Sequence, residues 1–301
     1  MGIRKATAME QTIKIKTQAA DEREEWSLII KPVSGWLNID LKALWNYKDL
    51  IILFVRRDFV SLYKQTVLGP LWFFIQPVLT TITFTVIFSN IAGLSTDGLP
   101  SVLFYLAGIT CWNYFADCLT ATSRTFSANA NIFGKVYFPR LVLPVSIVIS
   151  NLLKFGIQLL VFLSLFAYFK ISGFNVDSNP TILLFPLLVF LMAGLGLGLG
   201  IIISSLTTKY RDLQHLITFG IQLLMYASPI VYPLATVPDK YKWILLLNPM
   251  TSIIEAFKFG FLGSGVFSPL ALCYSFLFMC IGLVAGIVIF SKVEKSFMDT
   301  V

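Results

Sequence analysis

Charge is what this chain has little of. Asp, Glu, Lys and Arg make up 13% of its 301 residues, about half of the roughly 25% usual in soluble domains. That scarcity excludes an ordinary water-facing surface. There is one histidine, His215, separated by two residues from Arg211-Asp212, which leaves little for a proton relay. The four cysteines, Cys111, Cys118, Cys273 and Cys280, form two pairs seven apart inside apolar segments. Seven helical residues rise about 10.5 Å, too far for a disulfide within one helix. With no CxxC or His/Cys cluster, metal binding is not expected, and the thiols read as small buried hydrophobes. A GxxxxGK[ST] phosphate cradle is missing too, because Gly134-Lys135 lacks the upstream glycine and the hydroxyl partner. No DxD appears, which counts against a polyprenyl-phosphate glycosyltransferase. Asp117 is the one acidic residue near mid-span, which counts against an ion-coupled carrier. Residues 1–40 contain no apolar core with a cleavage site, so the N-terminus is expected to stay in the cytoplasm. Nothing points to nucleic acid.

Apolar residues fill the space that charge leaves: 56% of the chain, with a mean hydropathy of +0.79. The expected fold is an all-α polytopic membrane protein with six transmembrane helices, near 71–92, 100–122, 141–169, 181–206, 213–234 and 268–291, each close to the ~20 residues a span requires. What charge there is gathers at the front, where residues 1–64 hold 11 of the 23 Lys/Arg and 8 of the 16 Asp/Glu. The division expected is a cytoplasmic segment over 1–40, a helix over 41–64, a transmembrane domain over 65–292 and a cytoplasmic tail over 293–301. Basic residues orient it. Arg124, Lys135, Arg140, Lys209, Arg211, Lys292 and Lys295 fall inside, against Lys170, Lys240, Lys242 and Lys258 outside, so both termini are expected in the cytoplasm.

The stretch Leu41–Pro77 organises the rest. Leu44, Ile51, Val55, Phe59 and Leu62 share one helical face, while Lys42, Asn46, Asp49, Arg56, Arg57 and Lys64 share the other, with Leu53 and Val60 intruding. Such a helix lies along a membrane surface rather than crossing it. Arg56, Arg57 and Lys64 then become candidates for meeting a pyrophosphate or anionic headgroups. Gly69-Pro70 breaks the pattern and the first span follows, with Pro77 kinking it.

Two connections are more than turns. Residues 124–140, RTFSANANIFGKVYFPR, form a loop with a short helical middle that stops before Pro139. Residues 243–265, WILLLNPMTSIIEAFKFGFLGSG, are nearly long enough to span but are interrupted by Asn248-Pro249, Glu255 and Lys258. They read as a re-entrant pair of short helices at the outer face.

Inside the spans, Gly194–Gly200 reads GLGLGLG. The Gly194/Gly198 and Gly196/Gly200 spacings suit close helix approach rather than a nucleotide loop. Asn151, Lys154 and Gln158 form one polar stripe (i, i+3, i+7), and ionisable groups here require a partner or a hydrated path, as Asp117 does. Trp72, Phe73, Trp112, Tyr114 and Phe115 are candidate passage aromatics, since sugar rings stack on aromatic faces.

Four stretches, YKDLIILFVRRDFVSLYKQTVLGPLWFFIQP (47–77), NIFGKVYFPRLVLP (131–144), TKYRDLQH (208–215) and LNPMTSIIEAFKFGFLG (247–263), resemble in order the permease subunits of ABC-2-type polysaccharide exporters, the O-antigen and lipopolysaccharide group in particular. The resemblance covers roughly residues 25–290. It implies a homodimer in the bacterial inner membrane that binds two separate ATPase subunits and passes a polyprenyl-lipid-linked polysaccharide outward. No cofactor is then expected on this chain, and ATP and Mg sit on the partner. It also implies that Asn131, Lys135, Phe138, Pro139 and Arg140 couple to the ATPase, and that Asn248, Pro249, Glu255 and Lys258 belong to an outer gate. Teichoic acid and capsule exporters share the pattern.

Overall fold

The structure is a computed structural model that describes residues 41–64, 67–133, 138–174, 176–210 and 212–298. The chain divides into Met1–Asn38 and Ile39–Val301, and only the second unit is described below. The expected 1–40 and 299–301 segments, Lys135 and Arg211 lie outside the described residues.

All regular structure among the described residues is helical. The amphipathic stretch forms α1 (Leu41–Asn46) and α2 (Lys48–Tyr63), divided at Tyr47. Gly69, at φ +51°, makes the corner into the first long segment. A 3₁₀ turn (Gly69–Leu71) leads into α3 (Trp72–Phe84) and then a π-helical stretch (Thr85–Ile91). Pro77 cannot donate a backbone hydrogen bond. Hydroxyls on the same helix bond back to its carbonyls, Thr81 to Pro77 at 2.7 Å and Thr80 to Gln76 at 2.9 Å.

The central element is α4 (Ser101–Ser123), buried along almost its whole length. The short α5 (Thr125–Phe133) follows, kinked at Asn129. Then come α6 (Val142–Ile171), a 3₁₀ turn (Pro180–Leu184) and α7 (Phe185–Lys209). The glycines of α7 explain its packing, and the two registers serve different neighbours. A Cβ on Gly196 would lie 2.6 Å from the Cys118 Cβ, and one on Gly200 2.6 Å from the Thr122 Cβ, both on α4. Gly194 and Gly198 instead lie against Met279 and Gly282 of α11 (Pro269–Met298). The glycine run therefore clamps α7 between two helices at backbone distance.

Among the described residues, five helical segments are long and apolar enough to cross a membrane: Gly69–Ile91, Ser101–Ser123, Val142–Ile171, Pro180–Lys209 and Pro269–Val293. The segment expected at 213–234 differs. Its helix, α8, covers only Leu213–Tyr226, about 21 Å at 1.5 Å per residue. Ser228-Pro229 stops it, because proline lacks the amide hydrogen and disfavours helical backbone in the residue before it. Residues 228–231 then run on as buried, non-helical chain. Finally α9 (Asp239–Leu246) and α10 (Pro249–Leu262) meet at a 103° bend and together count as a sixth candidate span if taken as one.

Candidate functional site

The apolar interior falls into two clusters. The larger surrounds α4. The smaller lies at the Ser123 end and joins Phe54, Phe126, Phe133, Phe138, Val142, Leu143, Ile201 and Phe290. Here α2 inserts Phe54, its deepest residue, whose ring centroid is 5.8 Å from that of Phe138. Phe138 stacks on Phe133 at 6.0 Å, and Phe126 stacks on Phe290 of α11 at 4.5 Å. Arg140 is buried, its guanidinium carbon 5.0 Å from the Phe133 centroid, within cation–π range. Thus α2, the 124–140 connection and the feet of α6, α7 and α11 share one aromatic core. Of the residues assigned to coupling, Phe138 and Arg140 lie inside it, Pro139 is half-buried and Asn131 is exposed.

Across α2, Arg56, Arg57 and Lys64 are all exposed. They are not equivalent. Arg57 pairs with Asp58 at 2.7 Å and lies 4.7 Å over Phe54. Trp45, Ile52 and Leu53 are exposed as well, so the uncovered surface of this segment is mixed apolar and basic.

The aromatics separate into two groups. Trp112, Tyr114 and Phe115 are each 3% exposed, with Trp112 against Phe115 at 5.4 Å and Tyr114 against Phe155 at 4.9 Å. They fill the chain's own interior. Trp72 is exposed and Phe73 half-exposed on α3. His215 is exposed on α8, a helix with no buried residue, where Thr218, Phe219, Gln222 and Tyr226 are exposed as well.

At the Ser101 end, the α9–α10 bend leaves backbone carbonyls that side chains satisfy. Thr251 Oγ1 donates to Leu245 O at 2.6 Å, Tyr274 Oη to Leu247 O at 3.0 Å and Ser275 Oγ to Pro249 O at 2.8 Å. Irregular backbone survives at membrane depth only when protein meets its polar groups. Asn248 caps α10 by accepting from Met250 N at 3.1 Å, while its Nδ2 donates to Ser228 Oγ at 2.8 Å. Lys258 is fully buried. Its Nζ donates to Pro229 O at 2.6 Å and sits 3.5 Å from the Phe104 ring centroid. Glu255, also buried, accepts from Val266 N at 2.8 Å. Asn248 and Lys258 therefore tie α10 to the chain that follows α8, and Lys258 ties it to α4 as well. Sequence reasoning missed Phe54, Phe104 and the 228–229 segment. Nothing but the fold brings them to Phe138, Lys258 and Asn248.

Residues 49–262 match the ABC-2 type transporter family. The chain is 29% identical over 222 residues to the O-antigen export system permease protein RfbA of Myxococcus xanthus, covering 72% of this chain and 82% of that protein. It is 29% identical over 252 residues to an O-antigen export system permease protein RfbA of Klebsiella pneumoniae, covering 83% and 94%. It is 23% identical over 252 residues to the polysialic acid transport protein KpsM of Escherichia coli, covering 81% and 93%. A match over most of the chain, carried on a helical body with five or six candidate spans, assigns it: the protein is a multi-pass membrane protein and belongs to the ABC-2 type transporter family.

Proposed function

We propose that this chain is the permease subunit of an exporter of polyprenyl-linked polysaccharide of the O-antigen type, acting in the bacterial inner membrane as a homodimer on two ATPase subunits. The observation that carries the mechanism is the shared aromatic core of α2 and the 124–140 connection, with Phe54 against Phe138. Both termini and this core are assigned to the cytoplasmic side, and the α9–α10 bend to the outer face as a re-entrant gate. Closure of the ATPases presses on the connection. Because α2 and the feet of α6, α7 and α11 are packed into the same core, the push moves the interfacial helix and the spans together.

In this reading the passage forms between copies of the chain. The helices α3 and α8 offer the surface for it, since neither is well covered within the protomer. Trp72 and Phe73 are the passage aromatics it retains, and Trp112, Tyr114 and Phe115 stiffen the wall behind them. Arg56 meets the lipid diphosphate, with Lys64, and Arg57 contributes less because Asp58 shares its charge.

The relatives named for O-antigen export make that glycan the leading cargo, and the one named for polysialic acid transport makes that polymer the second. The test is complementation. With its ATPase, the chain is expected to restore surface glycan to a strain lacking its own permease, and a Walker-motif variant of that ATPase is expected to abolish the rescue. Export that persists on an ion gradient without the ATPase would overturn the reading.

A further inference from the structure

A polar seam crosses the middle of the molecule between α4 and α6. Asn113 Nδ2 lies 3.4 Å from Gln158 Oε1, and one turn along, Lys154 Nζ lies 3.9 Å from Asp117 Oδ2. The two helices are antiparallel, so Asn113 and Asp117 on one meet Gln158 and Lys154 on the other in register. Asn151 continues the α6 stripe. It is buried, and its side chain lies against the Cys118 thiol of α4. The Phe73 ring of α3 closes one side, its centroid 5.7 Å from Lys154 Nζ.

The seam is only half satisfied. At 3.9 Å the ion pair is beyond hydrogen-bond length, so the carboxylate keeps lone pairs free and the ammonium keeps donors free. The Asp117 side chain is 45% exposed and that of Lys154 20%. Both lie well inside helices of membrane-spanning length and composition. Lipid cannot cover an open carboxylate at that depth. A purely structural pair would be sealed and closely bonded, and this one leaves nearly half of the Asp117 side chain uncovered.

We infer that the Asp117–Lys154 seam, with Asn113, Gln158 and Phe73, is a sugar-binding station on the export path, built for the hydroxyl groups of an uncharged glycan. The inference rests on the exporter reading above. A hydroxyl donates and accepts at once, so one sugar hydroxyl can donate to Asp117 while accepting from Lys154. The amide pair repeats the same offer one turn away, and Phe73 presents an apolar face to pyranose C–H groups. The pair is neutral overall, so it holds hydroxyls without trapping a dense polyanion. Weak, repeated bonds of this kind let a chain advance where one tight site would hold it.

The discriminating variant is the double Asp117→Leu/Lys154→Leu, expressed with the ATPase in the permease-null strain. Replacing a paired charge by apolar side chains preserves folding where the role is structural. The expected result is a dimer that still binds its ATPase but exports at least tenfold less glycan. Asp117→Asn and Lys154→Gln are each expected to give intermediate losses with shortened surface chains. Wild-type export by the double variant would overturn the station while leaving the exporter reading intact. Dissociation into monomers in detergent would also overturn it, by making the seam a contact between copies. Failure of the unmodified chain to restore export would instead sink the exporter reading itself.

Discussion

The two ends of α4 are held in different ways. At the Ser123 end, rings pack on rings: Phe54, Phe126, Phe133, Phe138 and Phe290 form a core whose contacts are mostly non-directional. At the Ser101 end, the α9–α10 bend is fixed by directional bonds through Asn248, Thr251, Glu255, Lys258 and Ser275. A packed apolar contact tolerates small sliding at little cost. A buried lysine on a carbonyl does not, because leaving it costs the full desolvation of a charge. On the proposed topology the first end receives the push of the ATPase and the second holds a gate shut until the push arrives.

That contrast breaks most sharply at Lys258. The variant Lys258→Met strips Pro229 O and Glu255 of their buried cation, and removing one member of such an arrangement costs about 3–5 kcal/mol. A large fall in thermal midpoint in detergent is expected, and an unchanged midpoint would show that the outer end is not pinned as described. Next comes Phe138→Ala, where truncating a buried phenylalanine costs about 3–5 kcal/mol in a fully packed core. Export is expected to fall more than ATPase binding, because the loop survives while its grip on α2 is lost.

The strut between the ends is tested by Gly196→Val. A Cβ there would meet the Cys118 Cβ at 2.6 Å, and overpacking of this kind costs about 1–3 kcal/mol. Both ends should loosen together, measurable as faster proteolysis at 138–140 and near 247. A smaller effect is expected from Asn248→Ala, which removes the α10 cap for about 1 kcal/mol together with the bond to Ser228. It should ease gate opening and leak small solutes into vesicles. Smallest in stability terms are Arg56→Gln and Arg57→Gln, both on exposed residues. Assembly should be untouched, and export should fall further for Arg56→Gln, since Asp58 already occupies Arg57.

Much of this was legible in residue patterns, and the misses share a cause. The glycine registers of α7 and the polar stripe on α6 repeat at intervals that one helix dictates, and the Asn248-Pro249 bend is a local break. Phe54 was not singled out because its burial depends on what α6 and the 138–140 segment present to it. Asp117 was legible as a group that requires a partner, but its pairing with Lys154 was not, and Asn113 is one polar residue in a long apolar run until Gln158 faces it. At 213–234 hydropathy stays high to the end of the stretch. The two prolines, Pro229 and Pro233, decide the backbone there, and hydropathy does not register them. The burial of Trp112, Tyr114 and Phe115 follows from the central place of α4, which no local pattern encodes.

The central claim is that the 124–140 connection is where a separate ATPase takes hold. Asn131 is exposed on that connection, so a photoreactive amino acid placed at 131 in the assembled complex tests it directly. The account predicts a crosslink to the ATPase subunit that changes in yield when ATP is added. Labelling of position 131 from the outer face of intact cells, with no crosslink to an ATPase, would contradict it.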